Sequence, residues 1–322
     1  MSHQCKLSPT VVAYQDFNAS ADAQVLSKAM EGITTDKNAI IDVLANRTNL
    51  QRQEIVSQFK AIYKKDLLTN LILRSSGNFA DLLVAMMTPL PQYYAKELHD
   101  QMCQAGTEES VLIEVLCTLP HEEILAVKQA YETMYGNSLE DDLLTDAFGN
   151  LKRLVVAVCC ISRSEYLRYD LEGMVMRIRH LSEHEQDPAP YEPFYMPDIR
   201  FESEPLQIHE IFRKFHQRTG YSIEVAIDNG LPPDTRKGLL AVEKCVKDRP
   251  GFFAEKLYES AKYEIAQPLT RLIVTRSEID LGEIKRAFLH EYCERLESLI
   301  ADKYSGNYRN CILAIVSSEP KI

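Results

Sequence analysis

Apolar residues between positions 17 and 87 recur every three or four residues, which is the period of an α-helix and not that of a β-strand. Breaks at residues 32–36, 47–49, 64–65 and 75–78 divide this stretch into five segments. The residues that share a face within each segment are Leu26, Ala29 and Met30; Ile40, Val43 and Leu44; Ile55, Phe59, Ile62 and Tyr63; Leu67, Leu68, Leu71 and Ile72; and Leu82, Leu83 and Met86. The pattern predicts five short amphipathic helices around a common core.

Signals for helix ends accompany these segments. Thr48 followed by Gln51 predicts a capping box at the start of the third helix. Gly77, Gly149 and Gly306 each follow an apolar segment, where a left-handed residue just beyond a helix end is favoured. No alternating strand pattern of useful length occurs, so the chain is predicted to be all-α.

The same pattern recurs four times along the chain. Its closing alanines are Ala85, Ala157, Ala241 and Ala314, at spacings of 72, 84 and 73 residues. The long interval contains a segment, residues 187–205, that holds five prolines. Proline removes a backbone donor and clashes inside a helix, so this insertion is predicted to interrupt the third repeat.

Composition narrows the functional classes. The formal net charge is −11, which argues against nucleic acid as a partner and opposes unaided binding to an anionic membrane. The eight cysteines show no CxxC pair or zinc spacing, and we interpret them as reduced thiols of a cytoplasmic protein. The chain shows no secretory signal pattern and no apolar run long enough to cross a bilayer.

Several recurring motifs resemble the core motifs of the annexin family, and they occur in the family's order and period. They lie at residues 21–26, 52–55, 66–68, 105–108, 112–116, 138–142 and 275–281. The resemblance covers about residues 17–317 and implies a curved disc of four repeats of about five short helices each. The predicted organisation is a short N-terminal tail (1–16), repeat 1 (17–87), repeat 2 (88–161), a divergent repeat 3 (162–246) and repeat 4 (247–317).

The resemblance also implies calcium sites and a peripheral position on acidic phospholipid membranes. Calcium takes about six to eight oxygen ligands, and the family's main site supplies them from a glycine-rich loop and an Asp or Glu about 40 residues later. Open positions on the ion accept a lipid phosphate, so calcium bridges two anionic surfaces. The tail and the concave face, by the same resemblance, leave room for a protein partner.

Three of the four predicted calcium sites have lost essential residues. In repeat 1, Thr34 replaces the second loop glycine and Arg74 replaces the carboxylate. In repeat 3 the proline-rich segment replaces the loop, and Gly230 lies near the expected acid. In repeat 4 the loop at residues 261–266 has no glycine, and Lys303 takes the acid position beside Asp302. A cation at the acid position would repel calcium.

Repeat 2 is the best surviving candidate. The loop keeps one glycine although Gln104 replaces the other, and the distant acid is present. The predicted calcium-site residues are Met102, Gln104, Gly106, Thr107, Glu109 and Asp146. The alternative is that Gln104 prevents the loop conformation and the acids only favour a helix N-terminus.

Two functional hypotheses remain open. The first is calcium-dependent phospholipid binding that is weak and depends on a single calcium site in repeat 2. The second is a calcium-independent scaffold or protein-interaction protein. No Ser-His-Asp pattern, HExxH motif or phosphate-binding glycine loop occurs, so an enzyme is not predicted.

Overall fold

The computed structural model describes residues 8–103, 110–116, 118–145, 240–241, 243–245 and 247–318. Every regular element in these ranges is an α-helix, and the predicted all-α class is confirmed. The helices are α1 (Ala19–Ala29), α2 (Lys37–Leu44), α3 (Asn49–Tyr63), α4 (Leu67–Leu73), α5 (Gly77–Met87), α6 (Leu90–Cys103), α7 (Ser110–Leu116), α8 (His121–Tyr135), α9 (Leu139–Thr145), α10 (Arg249–Lys262), α11 (Ala266–Arg276), α12 (Leu281–Tyr292), α13 (Leu296–Lys303) and α14 (Gly306–Ser317).

The predicted unit of five short helices is present at both ends of the described chain. Helices α1–α5 make up the first unit of this kind and α10–α14 the last. The chain divides into two compact units, residues 1–93 with 250–322, and residues 94–249. The proline-rich segment 187–205 and Gly149 lie outside the described residues.

Polar side chains cap the helices of the first repeat where the sequence indicates. The Thr48 hydroxyl accepts the Gln51 backbone N–H, and the Gln51 side chain accepts the Thr48 N–H, so the predicted capping box at α3 is present. Asn18, Asp36 and Asp66 cap α1, α2 and α4 in the same way through their side-chain oxygens. Each cap satisfies a backbone donor that a helix start leaves without an intrahelical partner.

Most residues on the apolar faces of the first repeat form its core, while Tyr63 and Leu68 are half-buried. Leu26, Ile40 and Leu44 are fully buried, as are Ile55, Leu67, Leu71 and Leu82. Ile62 and Ile72, which share faces with these residues in sequence, are exposed. Both lie near the C-terminal end of their helix, where the apolar stripe reaches the edge of the packed surface.

Gly77 and Gly306 have the predicted left-handed backbone, with φ of +57° and +67°. Their position differs from the prediction, because each is the first residue of the following helix and not the residue that ends the preceding one. Gly136, with φ of +80°, is the glycine that ends a helix, α8. In the loops before α5 and α14 the left-handed residue therefore lies at the start of the next helix and not at the end of the preceding one.

The unit that contains residues 1–93 and 250–322 packs the first and last repeats together. Helix α5 packs against α11 and α14, and α14 also packs against α2.

Arg52 lies fully buried in this unit, where its guanidinium donates to the carbonyls of Leu44 (2.9 Å) and Met86 (3.3 Å). Its Nη1 lies 3.8 Å from a carboxylate oxygen of Glu278, which also accepts the Asn49 N–H at 2.6 Å. Burial raises the pKa of Glu278, and Arg52 partly offsets that rise.

Replacing Arg52 by methionine is expected to destabilise the protein by about 3–5 kcal/mol, because Glu278 and two carbonyls lose a buried partner. The loss should be larger at pH 7 than at pH 5. Without Arg52 the folded-state pKa of Glu278 rises further above its ordinary value of 4.5, so stability is lost as pH rises through the new pKa. Urea unfolding followed by circular dichroism measures both effects. A loss that is equal at the two pH values would contradict this role for Glu278, and the Arg52→Met/Glu278→Met double variant should recover part of the loss.

Residues 8–14 of the N-terminal tail lie against the first and last repeats. The Thr10 and Val11 N–H groups donate to the Ser277 carbonyl at 2.8 and 3.0 Å, and Gly282 N–H donates to the Ser8 carbonyl at 2.8 Å. Tyr14 stacks under Arg47, with the guanidinium carbon 3.9 Å from the ring centroid. A side chain at position 282 would clash with Ser8, because an added Cβ would lie 2.5 Å from the Ser8 carbonyl oxygen. The tail segment is therefore part of the folded structure.

Candidate functional site

The loop between α1 and α2, residues 30–36, is the predicted calcium loop of repeat 1. Helix α1 ends with the Met30 N–H bonded to the Leu26 carbonyl, and the Asp36 N–H closes the loop on the Ala29 carbonyl at 2.8 Å. Gly32 adopts φ of +83°, which a residue with a Cβ rarely adopts. Ile33, the next residue, is fully exposed. The loop thus keeps a left-handed glycine turn at Gly32.

The side chain of Arg74 donates a hydrogen bond to the Gly32 carbonyl oxygen of this loop. Arg74 is the C-cap residue of α4, and its Nη1 donates to the Gly32 carbonyl oxygen at 3.0 Å, across 42 residues of sequence. The sequence predicts Arg74 at the position of the missing carboxylate, and the structure brings it into direct contact with the loop. A guanidinium N–H therefore takes the carbonyl oxygen that a cation in this loop would use.

The corresponding loop of repeat 4 is short and internally bonded. Residues 263–265 join α10 to α11, and Glu264 has a left-handed φ of +57°. The Ile265 N–H donates to the Ser260 carbonyl at 2.9 Å, and the buried Tyr304 hydroxyl donates to the same oxygen at 3.2 Å. These bonds turn the Ser260 carbonyl toward the protein.

Lys303 lies at the end of α13, where the sequence places the acid position of repeat 4. Its Nζ is 3.2 Å from a carboxylate oxygen of the adjacent Asp302. Asp302 is strongly exposed and Lys303 is one-third exposed. The adjacent acid is thus already paired with the lysine that replaces the expected carboxylate.

In repeat 2 only the first predicted calcium-site residue is described. Met102 lies half-buried in the last turn of α6. Gln104, Gly106, Thr107, Glu109 and Asp146 lie outside the described residues. The described helices reach both sides of the predicted site, because α6 ends at Cys103 and α9 ends at Thr145.

A polar network links the helices on the two sides of that site. The Cys103 sulfur lies 3.5 Å from His99 Nε2, and His99 Nδ1 lies 3.1 Å from the Tyr131 hydroxyl of α8. Tyr131 donates to the Asp142 carboxylate of α9 at 2.7 Å, and the His99 ring stacks on Tyr135 with centroids 3.7 Å apart. Burial raises the pKa of Tyr131, and its bond to Asp142 adds to that rise, so the hydroxyl keeps its proton.

The sequence does not identify this network as a unit. The spacing of four residues between His99 and Cys103 and between Tyr131 and Tyr135 indicates shared helix faces only. The network ties the end of α6, where the loop begins, to α9, which precedes Asp146 directly. It therefore positions the backbone on both sides of the predicted repeat-2 site.

The parts of the chain that the structure describes contain no group of three or more His, Cys, Asp or Glu side chains able to hold a metal ion. None of the helices in those same parts is long and apolar enough to span a membrane. A calcium loop of the predicted kind uses backbone carbonyls, so it would not produce such a side-chain cluster.

The annexin family model matches three segments of this chain, residues 21–86, 93–158 and 252–315. Annexin A8 of Pan troglodytes is 37% identical over 97% of this chain and 96% of its own length. Annexin A6 of Mus musculus is 36% identical over 98% of this chain but only 48% of its own length. The chain thus spans about half the length of the annexin A6 relatives and nearly the whole length of annexin A8.

Among solved structures, this chain is also similar to annexins. The structure of annexin III covers 97% of this chain and 98% of its own, with a TM-score of 0.78 and 31% identity. The calcium-bound structure of annexin (Sm)1 covers 97% of this chain and 94% of its own, with a TM-score of 0.76 and 28% identity.

Proposed function

Because the chain belongs to the annexin family, we propose that it is a calcium-dependent phospholipid-binding protein of the cytosolic membrane face, with weakened calcium binding retained mainly in repeat 2. Calcium-dependent binding to phospholipid is the general property of the family. We propose no catalytic role and a cytoplasmic, peripheral location. The finer assignment of the sites depends on the residues of this chain.

The hydrogen bond from Arg74 to the Gly32 carbonyl is the observation that best supports the weakened calcium binding. Calcium would have to displace a guanidinium N–H from that oxygen and then lie next to a permanent positive charge. Arg74 also supplies no oxygen ligand to complete the coordination shell. Repeat 1 is therefore a poor calcium site even though Gly32 keeps its left-handed turn.

The loop of repeat 4 lacks suitable ligands for a different reason. The loop at residues 261–266 has no glycine, two donors hold the Ser260 carbonyl of α10 just before it, and Lys303 stands at the acid position. Of the loops considered, only that of repeat 2 combines a glycine, Gly106, with a distant acid, Asp146. Met102, Gln104, Thr107 and Glu109 complete the proposed weak site for one calcium ion.

Vesicle sedimentation tests this function. The protein would be mixed with vesicles that contain phosphatidylserine or phosphatidylcholine alone, in EGTA and in calcium raised from micromolar to millimolar concentration. We expect a calcium-dependent increase in binding to the acidic vesicles only, and only at high calcium. Strong binding at micromolar calcium would show that more sites function than we propose.

The second candidate is a calcium-independent scaffold or protein-interaction protein. It is favoured by the cations Arg74 and Lys303 at two acid positions, and a partner would bind the N-terminal tail or the concave face. This candidate predicts no calcium-dependent increase with either vesicle type. The sedimentation experiment therefore distinguishes the two functions.

A further inference from the structure

The loop of repeat 1 combines a fixed cation with exposed apolar side chains, and neither is needed for a calcium site. We propose that Gly32, Ile33, Leu73 and Arg74, here named the repeat-1 tip, bind the surface of an anionic phospholipid bilayer without calcium. The proposal rests on the membrane binding proposed above and assigns a separate contact within it. Arg74 then performs at repeat 1 the bridging task that calcium performs elsewhere.

The charge of the repeat-1 tip is held in place by the fold. The Gly32 carbonyl accepts one N–H of Arg74, and a guanidinium carries five, so donors remain for a lipid phosphate. A second cation, Lys37, lies 5.8 Å from the ring centroid of Phe79 in the first turn of α5. The acids nearest in sequence are Glu31 and Asp36, and Asp36 is engaged as the N-cap of α2. The bond to Gly32 therefore fixes a guanidinium at this loop, with Lys37 as a second cation and with Glu31 and Asp36 as exposed acids of the same loop.

Exposed apolar residues lie close in sequence to Arg74 and to the Gly32 carbonyl that it binds. Ile33 is fully exposed, Leu73 is 77% exposed, and Ile72 on the same helix is also exposed. The Arg74 contact with Gly32 brings Leu73 and Ile33 next to the two bonded residues. Burial of one such side chain in an apolar phase strengthens binding by about tenfold or more. A free phosphate ion offers no apolar phase, so these residues favour a bilayer as the ligand.

The repeat-1 tip lies at the end of α1 away from the N-terminal tail. Asp22 in the first turn of α1 pairs with Arg47 at 2.7 Å, and Arg47 stacks on Tyr14 of the tail. The tip follows the last turn of the same helix, and Ala29 at its end lies about 10 Å along the axis from Asp22. The described part of the tail therefore leaves the tip uncovered.

The absence of tryptophan from the chain makes a direct test possible. Ile33→Trp would place a single fluorescent reporter at the tip. Leu50→Trp is the matched control, since Leu50 is 76% exposed and lies in the first turn of α3, three residues after the Arg47 that pairs with Asp22 in the first turn of α1. In EGTA and low salt we expect phosphatidylserine vesicles to shift the emission of the Ile33→Trp variant to shorter wavelength. The Leu50→Trp variant should not respond.

Arg74→Gln tests the charged part of the tip. In the Ile33→Trp background it should weaken binding to acidic vesicles in EGTA by about fivefold, which is the effect of one arginine at an anionic surface. In the otherwise unaltered chain, sedimentation in EGTA should show the same loss, which excludes binding created by the tryptophan itself. Soluble inorganic phosphate and phosphatidylcholine vesicles should give no emission shift.

The outcomes separate this contact from the proposed calcium function. If the emission shift in EGTA persists in Asp146→Ala, the tip acts independently of the repeat-2 calcium site, as we propose. An unchanged emission of the Ile33→Trp variant, or a shift that Arg74→Gln does not weaken, would overturn the tip as a binding site. Either negative result would leave the calcium-dependent increase in the unaltered protein standing as a separate observation.

Discussion

Asp146→Ala is expected to abolish the calcium-dependent part of binding to acidic vesicles. We propose Asp146 as the distant acid of the one loop that keeps both a glycine and that acid, and Arg74 and Lys303 stand at two of the other acid positions. Removal of a carboxylate ligand leaves the ion with backbone carbonyls and water, which bind calcium weakly. The calcium concentration needed for half-maximal sedimentation should rise by more than about tenfold. Because the unaltered site already needs high calcium, the calcium-dependent sedimentation should no longer be measurable.

The matched control for this prediction is Asp302→Ala. Asp302 is an exposed aspartate next to the acid position of repeat 4, and it pairs only with the adjacent Lys303 among the contacts described. Its removal should leave the calcium response unchanged. Equal responses of Asp146→Ala and the unaltered protein would show that the retained site is not in repeat 2. Circular dichroism would verify that both variants keep the helical fold.

The Thr34→Gly/Arg74→Glu double variant is expected to gain a calcium site in repeat 1. Arg74→Glu releases the Gly32 carbonyl and adds a carboxylate at the position that the guanidinium now occupies. Thr34→Gly allows the loop backbone to turn a second carbonyl toward the ion. Two sites on one chain bind a membrane together, so the calcium needed for half-maximal sedimentation should fall by about tenfold or more.

Each single variant should gain little, for a different reason. Thr34→Gly alone leaves the Arg74 guanidinium on the Gly32 carbonyl. Arg74→Glu alone leaves the loop unable to supply its second carbonyl, and it should also lose the calcium-free contact of the repeat-1 tip. A full gain from Thr34→Gly alone would mean that Arg74 does not obstruct calcium. Sedimentation with a calcium titration measures all three variants under the same conditions.

The helical fold could be predicted because its signals are local. The apolar period, the Thr48–Gln51 capping box and the recurring closing alanines each depend on residues a few positions apart. The period places Ile62 and Ile72 on the apolar faces of their helices, but both are exposed, because the period marks a face and not where its packed edge ends. The left-handed Gly77 was predicted, whereas its place as the first residue of α5 depends on how the loop before it closes.

The contacts of the candidate sites were less predictable because they join distant segments. The sequence indicates that Arg74 replaces an acid, but its bond to Gly32 requires α4 and the α1–α2 loop to lie side by side. The network of His99, Tyr131 and Asp142 joins three helices, and no spacing in the sequence reveals it. Tertiary packing decides both arrangements. The apolar period that predicts the helices does not indicate which helices pack against each other.

The number of calcium ions bound per chain in the presence of acidic vesicles tests the central claim most directly. Equilibrium dialysis with labelled calcium and phosphatidylserine vesicles measures it, with Asp146→Ala as the reference. We expect a single ion per chain, bound at high calcium concentration and lost in Asp146→Ala. Several ions per chain, or no ion at any concentration tested, would contradict a family member with one weak site in repeat 2.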